Sequence, residues 1–483
     1  MTNSKRPALY VILVLSFVLG AAAAWPAEGW PRIAYSGLAI GFFFISLCLF
    51  FLILPRYVSL PVQILIAMVV GVAVGLACWM ITWVFRVDWP EAFVTGYLGI
   101  FGSIFFLLLK MVVVPLVFAS LTCGVANIGD VRRLGPMGGK TIAYFLLATS
   151  IATLIGLGFV NLIQPGVGRE ELRASAQELA PDSKDQTTSP GTKFQEDILP
   201  SFIQNPIMAD APILAIILFA LLLGAALAAS GEEGAPAVKV LQAIDKAMVT
   251  LVLWVMLLAP IGVFALMTKV VATLGALSIY MLGKYCLTVI LGLIVHFLVL
   301  VFVLLPLLGR FSPWQFLKGV APALELAFAT SSSSATLPVT LDCTQRRLGV
   351  SPSVTNFVIP LGTTVNMDGT ALYQAVAALF IAQVYGVHLG LQEQFMVFFT
   401  AIIVSIGTAG IPGASIALMS IVLASAGIPV EGIGIIIGVD RFLDMSRTVV
   451  NVVGDSIASV IVARSEGYPL QPQPKPSRAS NTP

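Results

Sequence analysis

Charge is what this sequence has least of. Only 10% of its 483 residues are Asp, Glu, Lys or Arg, and 26 basic against 24 acidic side chains leave a net charge of +2. A balance so near zero gives no basic field for nucleic acid. Histidine occurs only twice, in separate segments, and no nucleophile–base pairing or metal motif is visible, which argues against an enzyme. The five cysteines (Cys48, Cys78, Cys123, Cys286 and Cys343) are scattered and mostly sit in apolar runs. They form neither a metal-ligand spacing nor a disulfide framework and read as small buried hydrophobes. No Asn-x-Ser/Thr sequon occurs, so nothing marks a glycosylated extracellular loop.

What is abundant is apolar surface. Hydrophobic residues make up 58% of the chain, and the mean hydropathy is +0.97. A soluble protein of this length cannot bury so much apolar area, because much of any folded surface must face water. A bilayer can take it: the chain has many apolar runs of about 20 residues, the length that crosses about 30 Å of hydrocarbon. The expected class is an all-α polytopic membrane protein.

The first apolar run, 8–24, follows Lys5 and Arg6 and ends in four alanines, Ala21 to Ala24. It reads as a span or as a signal peptide. The second, 33–54, ends at Pro55-Arg56 and reads as a full span. Spans follow near 60–85, 95–123 and 140–164, with Arg132, Arg133 and Lys140 marking a cytoplasmic turn. Residues 166–200 are polar and read as a flexible aqueous loop. Apolar segments recur near 212–229, 239–268 and 278–308, the second interrupted by Pro260 and Gly262, where a kink is expected. The Pro-, Ser- and Gln-rich tail, 466–483, reads as disordered.

The region 315–464 differs, because polar clusters sit inside its apolar runs. They are Ser331–Ser334 before Pro338, Asn366–Thr370, Gly407–Gly413, and a last segment with Asp440, Asp444, Arg447, Asn451 and Asp455. Non-helical backbone survives at membrane depth only when protein shields it or a cavity lines it. The interruptions therefore suggest two re-entrant hairpins, each followed by a helix carrying Asn, Gly and Asp, which is an internal repeat. Paired broken segments point to the binding site of a secondary transporter.

On a helix of 3.6 residues per turn, Asp440, Asp444, Arg447, Thr448, Asn451 and Asp455 fall within an arc of about 100°. Phe442, Leu443, Val450 and Val453 take the opposite face. Charges at bilayer depth cost roughly 2.5–3.5 kcal/mol each even on the lenient insertion scale, so this stripe must face a polar interior. The bland alternative is an Asp–Arg pair that only ties helices together. Asn366 and Asp368, two apart, would point about 160° from each other on a continuous helix. Unwinding at Gly369 would bring their oxygens and freed carbonyls into a hard-oxygen cage suited to Na⁺. The alternative there is a kink held by polar side chains.

Four runs resemble the dicarboxylate/amino acid:cation symporter family, which includes the glutamate transporters. They are Ser331–Thr340 (SSSSATLPVT), Asn366–Thr370 (NMDGT), Thr408–Ala414 (TAGIPGA) and Asp444–Asp455 (DMSRTVVNVVGD), with Leu109–Phe118 (LKMVVVPLVF) upstream. The resemblance covers roughly 58–465. Members of this family are among the proteins from which the broken-helix rule was drawn, so the two arguments are not independent.

The resemblance implies eight core transmembrane helices, two re-entrant helical hairpins near 315–345 and 390–427, inverted repeats, an elevator-type movement and a homotrimer in the cell inner membrane. The hairpins would flank spans near 349–386 and 431–464. Scaffold parts would be about 58–135 and 205–275, and transport parts about 136–165 and 278–465. The N-terminal residues 1–57, with two extra apolar segments, lie outside the family pattern. The implied function is sodium-driven symport of aspartate or glutamate, with H⁺ as an alternative coupling ion. A C4-dicarboxylate or neutral amino acid symporter of the same family is the alternative.

By the same resemblance, Arg447 would bind the substrate side-chain carboxylate and Asp444 its ammonium. Thr448, Asn451, Thr370, Ser333 and backbone at Ile411 and Gly413 would complete the cradle. Asp455, Asn451, Asn366 and backbone at Gly362 would hold one Na⁺, and carbonyls of Thr364, Ser405, Ile406 and Thr408 a second. A third site would use Asp368 and Asn366. There Phe145 and Ala148 stand where a tyrosine and a threonine are usual, leaving Thr149 as the remaining hydroxyl. Gln374 replaces the glutamate that carries the proton in animal relatives. Glu325 is another proton carrier or else a surface charge. Ser331 and Met445 stand where relatives carry an extra arginine, so potassium countertransport is not expected, and Ser415 replaces a common glycine. His296, inside an apolar span, reads as a packed or interface residue rather than a proton relay.

Overall fold

The computed structural model describes residues 58, 60–86, 94, 98–131, 136–167, 213–408 and 410–470. The N-terminal segments 8–24 and 33–54, the polar loop and the end of the tail lie outside the described residues. Two compact units divide the chain, 1–67 and 68–483; in the first, Gln63 Nε2 donates to the Val58 carbonyl at 2.8 Å.

Among the described residues all regular structure is helical. In chain order the helices are α1 (Leu60–Phe85), α2 (Gly99–Val131), α3 (Pro136–Ile163), α4 (Ile213–Ala229), α5 (Ala235–Met256), α6 (Ala259–Leu274) and α7 (Ala276–Leu298). The last of these runs on as a π-helix, Val299–Gly309. Then come α8 (Pro313–Thr330), α9 (Ser333–Asp342), α10 (Pro352–Val365), α11 (Asp368–Tyr385), α12 (Leu391–Ile406), α13 (Ala414–Ser425) and α14 (Ile433–Ser465).

Four stretches among the described residues are long and apolar enough to cross a membrane: Val62–Val84, Pro136–Ile163, Ala276–Gly309 and Ile433–Ser465. The pair α5 and α6 passes together, bent by 58°. The bend lies just before Pro260 rather than at Pro260 and Gly262. A proline is welcome in a first helical turn, where its missing N–H bonds nothing. Gly262 stays helical and donates to the Leu258 carbonyl at 3.0 Å.

The spans divide by what surrounds them. α14 is 83% buried within the protein over its apolar window, against 22% for Val62–Val84. α14 can therefore carry its polar stripe without facing lipid. α8, α10, α11 and α7 with its π-helix all pack on it. The outer side of α7 is the reverse, with Leu287, Ile294, Leu298, Val303 and Leu307 all exposed, an apolar stripe that only lipid or another protein can cover.

The interrupted segments fold as two hairpins. α8 ends at Ser331, which takes a left-handed conformation with φ 52°, and α9 begins after Ser332, whose side chain accepts from Ala335 N as an N-cap. The second hairpin pairs α12 with α13 around a turn ending at Gly413, φ +79°, a backbone that glycine adopts without a Cβ clash. Between the hairpins α10 and α11 form one broken span. The break falls at Asn366 and Met367, not at Gly369. Gly369 is helical, and its role is close approach: a Cβ there would lie 2.8 Å from the Arg447 carbonyl on α14.

Candidate functional site

The two hairpin tips touch. Ser332 Oγ donates to the Gly410 carbonyl at 2.7 Å, and Ser334 N donates to the same oxygen at 3.1 Å. Beneath the tips lies a cavity of about 10 Å³ lined by Ser331, Ser333, Met367, Thr370, Thr408, Gly410, Ile411, Ser415, Asp444, Thr448 and Asn451. Such a volume holds about one water, so a larger occupant requires the lining to rearrange.

The helix ends are sorted around this cavity. Ser333 opens α9, Thr370 lies in the first turn of α11 and Ser415 in the first turn of α13. Three helix N-termini thus converge on it, and N-termini favour anions. Ser331 and Thr408 follow the C-terminal ends of α8 and α12, whose free carbonyls favour cations.

Arg447 is 1% exposed. Its Nη2 lies 2.8 Å from Asp444 Oδ1 and 2.9 Å from Asp440 Oδ1, and its guanidinium stacks 3.7 Å over the Tyr373 ring. Nε and Nη1 have no hydrogen-bond partner in the protein. Arg447 is not among the cavity-lining residues; it sits behind Asp444, which does line it. Asp444 Oδ2 also accepts from Gly413 N at 3.1 Å, so this carboxylate ties α14 to the second hairpin. Arg441 is a second buried guanidinium, with Nη1 3.7 Å from Asp444 Oδ2.

A second polar cluster is built around Asn366, Asp368 and Asp455. Asn366 Nδ2 donates to Asp455 Oδ1 at 3.0 Å, and Asn366 N to the Gly362 carbonyl at 2.9 Å. Asn451 Oδ1 accepts from Gly369 N at 2.8 Å, and Asn451 Nδ2 contacts Met367 Sδ at 3.2 Å. Asn366 Oδ1 and Asp455 Oδ2 are buried without hydrogen-bond partners. Thr149 Oγ1 donates to Asp368 Oδ1 at 2.8 Å, and His296 Nε2 lies 3.2 Å from Asp368 Oδ2. Buried carboxylate and amide oxygens without donors fit a hard cation such as Na⁺. Among the described residues no cluster of three His, Cys, Asp or Glu offers a transition-metal site.

Thr363 and Thr364 end α10 beside the second tip, where a Cβ on Gly410 would lie 3.0 Å from the Thr363 carbonyl. Ser405 and Ile406 close α12, and the Ser405 carbonyl already accepts from Thr408 N at 3.1 Å. Of the sequence-derived residues, Ser333, Thr370, Thr408, Ile411, Asp444, Thr448 and Asn451 line the cavity; Arg447 and Gly413 stand behind its wall, and Asn366, Asp368, Asp455 and Thr149 belong to the second cluster. Glu325 is exposed, away from the buried clusters. Gln374 is buried, its Nε2 3.5 Å from the Ser415 carbonyl. Sequence reasoning missed His296 as a partner of Asp368 and Tyr373 as a partner of Arg447, and neither carried a signal. An Asp–Arg pair was the alternative reading of the polar stripe, and Asp440 and Asp444 do pair with Arg447.

The Sodium:dicarboxylate symporter family matches residues 60–465 of this chain. The chain belongs to that family. A proton/sodium-glutamate symport protein of Bacillus caldotenax is 35% identical over 421 residues, covering 85% of this chain and 96% of the relative. A proton/glutamate-aspartate symporter of Escherichia coli (strain K12) is 36% identical over 421 residues, covering 84% and 93%. A C4-dicarboxylate transport protein of Bacillus subtilis (strain 168) is 33% identical over 415 residues, covering 84% and 94%. The chain is a helical membrane transporter and not an enzyme.

Gly454 keeps the second cluster open: a Cβ there would lie 2.5 Å from Asn366 Nδ2 and 3.0 Å from Asp368 Oδ2. Gly454→Val is expected to lower the thermal unfolding temperature of the purified protein, because the added side chain collides with Asn366 and Asp368. Thermal unfolding in detergent checks this; an unchanged midpoint contradicts the close approach.

Proposed function

We propose that this protein is a secondary active symporter of acidic amino acids, aspartate or glutamate, driven by a sodium gradient. The carrying observation is the pairing of three convergent helix N-termini with a fully buried arginine that has unpartnered donors. A substrate carboxylate would replace Asp444 and Asp440 on the Arg447 fork, which suits a carboxylate bidentately. Asp444, released from Arg447, would take the substrate ammonium. Ser333, Thr370, Thr448, Asn451 and backbone at Ile411 and Gly413 would complete the cradle.

Asp444 on the cavity wall also discriminates among substrates. It repels a dicarboxylate that lacks an ammonium, so an amino acid is favoured over the C4-dicarboxylate alternative. Arg447 disfavours a neutral amino acid, because a buried guanidinium without a carboxylate partner is costly.

The coupling sites would be Gly362, Asn366, Asn451 and Asp455 for one Na⁺, carbonyls of Thr364, Ser405, Ile406 and Thr408 for a second, and Asp368, Asn366 and Thr149 for a third. The third lacks the two hydroxyls that Phe145 and Ala148 displace. H⁺ is the alternative coupling ion, named with sodium for the relative from Bacillus caldotenax. The tip contact between the hairpins supports a gate formed by the second hairpin, and the two hairpin-plus-helix sets support inverted repeats. In this reading 136–165 and 278–465 form a transport part that moves elevator-like against a scaffold of 58–135 and 205–275. Residues 1–57 are an addition to that core. The assembly is a homotrimer in the inner membrane, multi-pass, with α1, α2 and α4 to α6 supplying the fixed side.

Arg447→Cys is expected to cut aspartate uptake into liposomes by about 100-fold or more and to leave uptake of neutral amino acids possible. Unchanged aspartate transport would refute the assignment. Asp455→Asn is expected to raise the Na⁺ concentration that half-saturates uptake; an unaltered sodium dependence contradicts the cation reading.

A further inference from the structure

His296 is fully buried in α7, 72 residues from Asp368 in sequence and facing it across the core. Its Nε2 lies 3.2 Å from Asp368 Oδ2, while the other carboxylate oxygen takes the Thr149 hydroxyl at 2.8 Å. Each oxygen of this carboxylate therefore has one protein donor. The carboxylate accepts, so Nε2 carries the hydrogen and Nδ1 is the bare nitrogen of a neutral ring. Nδ1 has no hydrogen-bond partner in its buried setting, as that tautomer requires least.

The surroundings give the ring a purpose. Phe145 and Ala148 are buried on α3 close to Thr149 and bring no oxygen to this spot. A threonine hydroxyl rotates freely, whereas an imidazole is a rigid plane with a single donor direction. The π-helical stretch starts at Val299, three residues after His296, and such stretches inside helices are frequent at functional sites. Beside Gly454, Asp368 Oδ2 and Asn366 Nδ2 approach one point, so a rotation of the carboxylate would disturb the Asn366–Asp455 bridge.

We propose that His296 is a positioning residue for cation coupling: its Nε2–H fixes the Asp368 carboxylate plane, the task left by the hydroxyls that Phe145 and Ala148 replace. This inference rests on the reading of Asp368 as part of a sodium site. It uses a neutral ring throughout and invokes no proton transfer.

The test uses the full-length protein with Na⁺ as the probe and two readouts. These are the Na⁺-dependent shift in thermal unfolding without substrate, and the half-saturating Na⁺ for aspartate uptake in liposomes. His296→Leu removes the donor and is expected to raise half-saturating Na⁺ about tenfold or more, the range for loss of an outer-shell partner. The aspartate KM at saturating Na⁺ should stay within about twofold, because the substrate cradle is untouched. His296→Gln, whose amide nitrogen reaches about as far as Nε2, should restore most of the Na⁺ affinity. If His296→Leu fails to fold, His296→Asn takes its place, being polar but too short to reach Asp368. A leucine or asparagine variant with wild-type Na⁺ dependence overturns the proposal, as does a glutamine variant no better than leucine. Asp455→Asn runs alongside. If it too leaves both readouts unchanged, the sodium reading has failed and the inference with it; if it shifts them while His296→Leu does not, only the role of His296 falls.

Discussion

A guanidinium 1% exposed in the middle of a membrane protein is the constraint to which the rest answers. Such a charge has no water to fall back on, and leaving it unpaired would cost several kcal/mol. Here Asp440 and Asp444 neutralise it from two turns and one turn earlier on the same helix, and Tyr373 covers its face. The pair is self-contained, yet it leaves Nε and Nη1 without partners. In the proposed reading, a carboxylate from outside would exchange with those of the protein while the arginine stays neutralised. Asp444 touches Arg447, the cavity and the Gly413 backbone together, which is why that reading makes it the hinge of the exchange.

The second organising feature is the direction of short helices. A continuous span would carry its ends to the membrane surfaces, where their partial charges are spent on water. Breaking α10 from α11 and folding each hairpin brings several ends to one place inside the protein. The N-termini of α9, α11 and α13 border the cavity, and the C-terminal carbonyls of α8, α10 and α12 lie next to them. Anionic and cationic cargo can then sit a few ångströms apart, each against helix ends of opposite sign. Glycine makes this density feasible: Gly369 and Gly454 let backbone and amide groups approach where any Cβ would collide.

Much of this was legible in the sequence because it is periodic or punctuated. The polar stripe on α14 followed from spacing alone, and the hairpins followed from serine and glycine runs inside apolar segments. Asn366 and Asp368 had to come from a break, since a regular helix would separate them. The exact place of the break was not legible: Gly369 was the local signal for unwinding, but its function is close packing against Arg447, and the chain unwinds at Asn366 and Met367 instead. The bend before Pro260 was displaced for a related reason, proline marking the start of α6 rather than a kink within it. His296 and Tyr373 were invisible because a lone polar residue in an apolar helix has no periodic partner; only the fold brings α7 and α11 together. Spacing placed Arg447 on the polar face of α14, but not behind Asp444 and against Asp440 and Tyr373, where the structure has it.

The central claim is that the buried guanidinium trades protein carboxylates for that of the substrate. A structure of the protein with aspartate and Na⁺ bound tests it most directly. The account expects the substrate side-chain carboxylate on Nη2 and a neighbouring N–H of Arg447 at about 2.7–2.9 Å, with Asp444 turned to the ammonium. Aspartate bound elsewhere, with Arg447 still locked to Asp440 and Asp444, would contradict it.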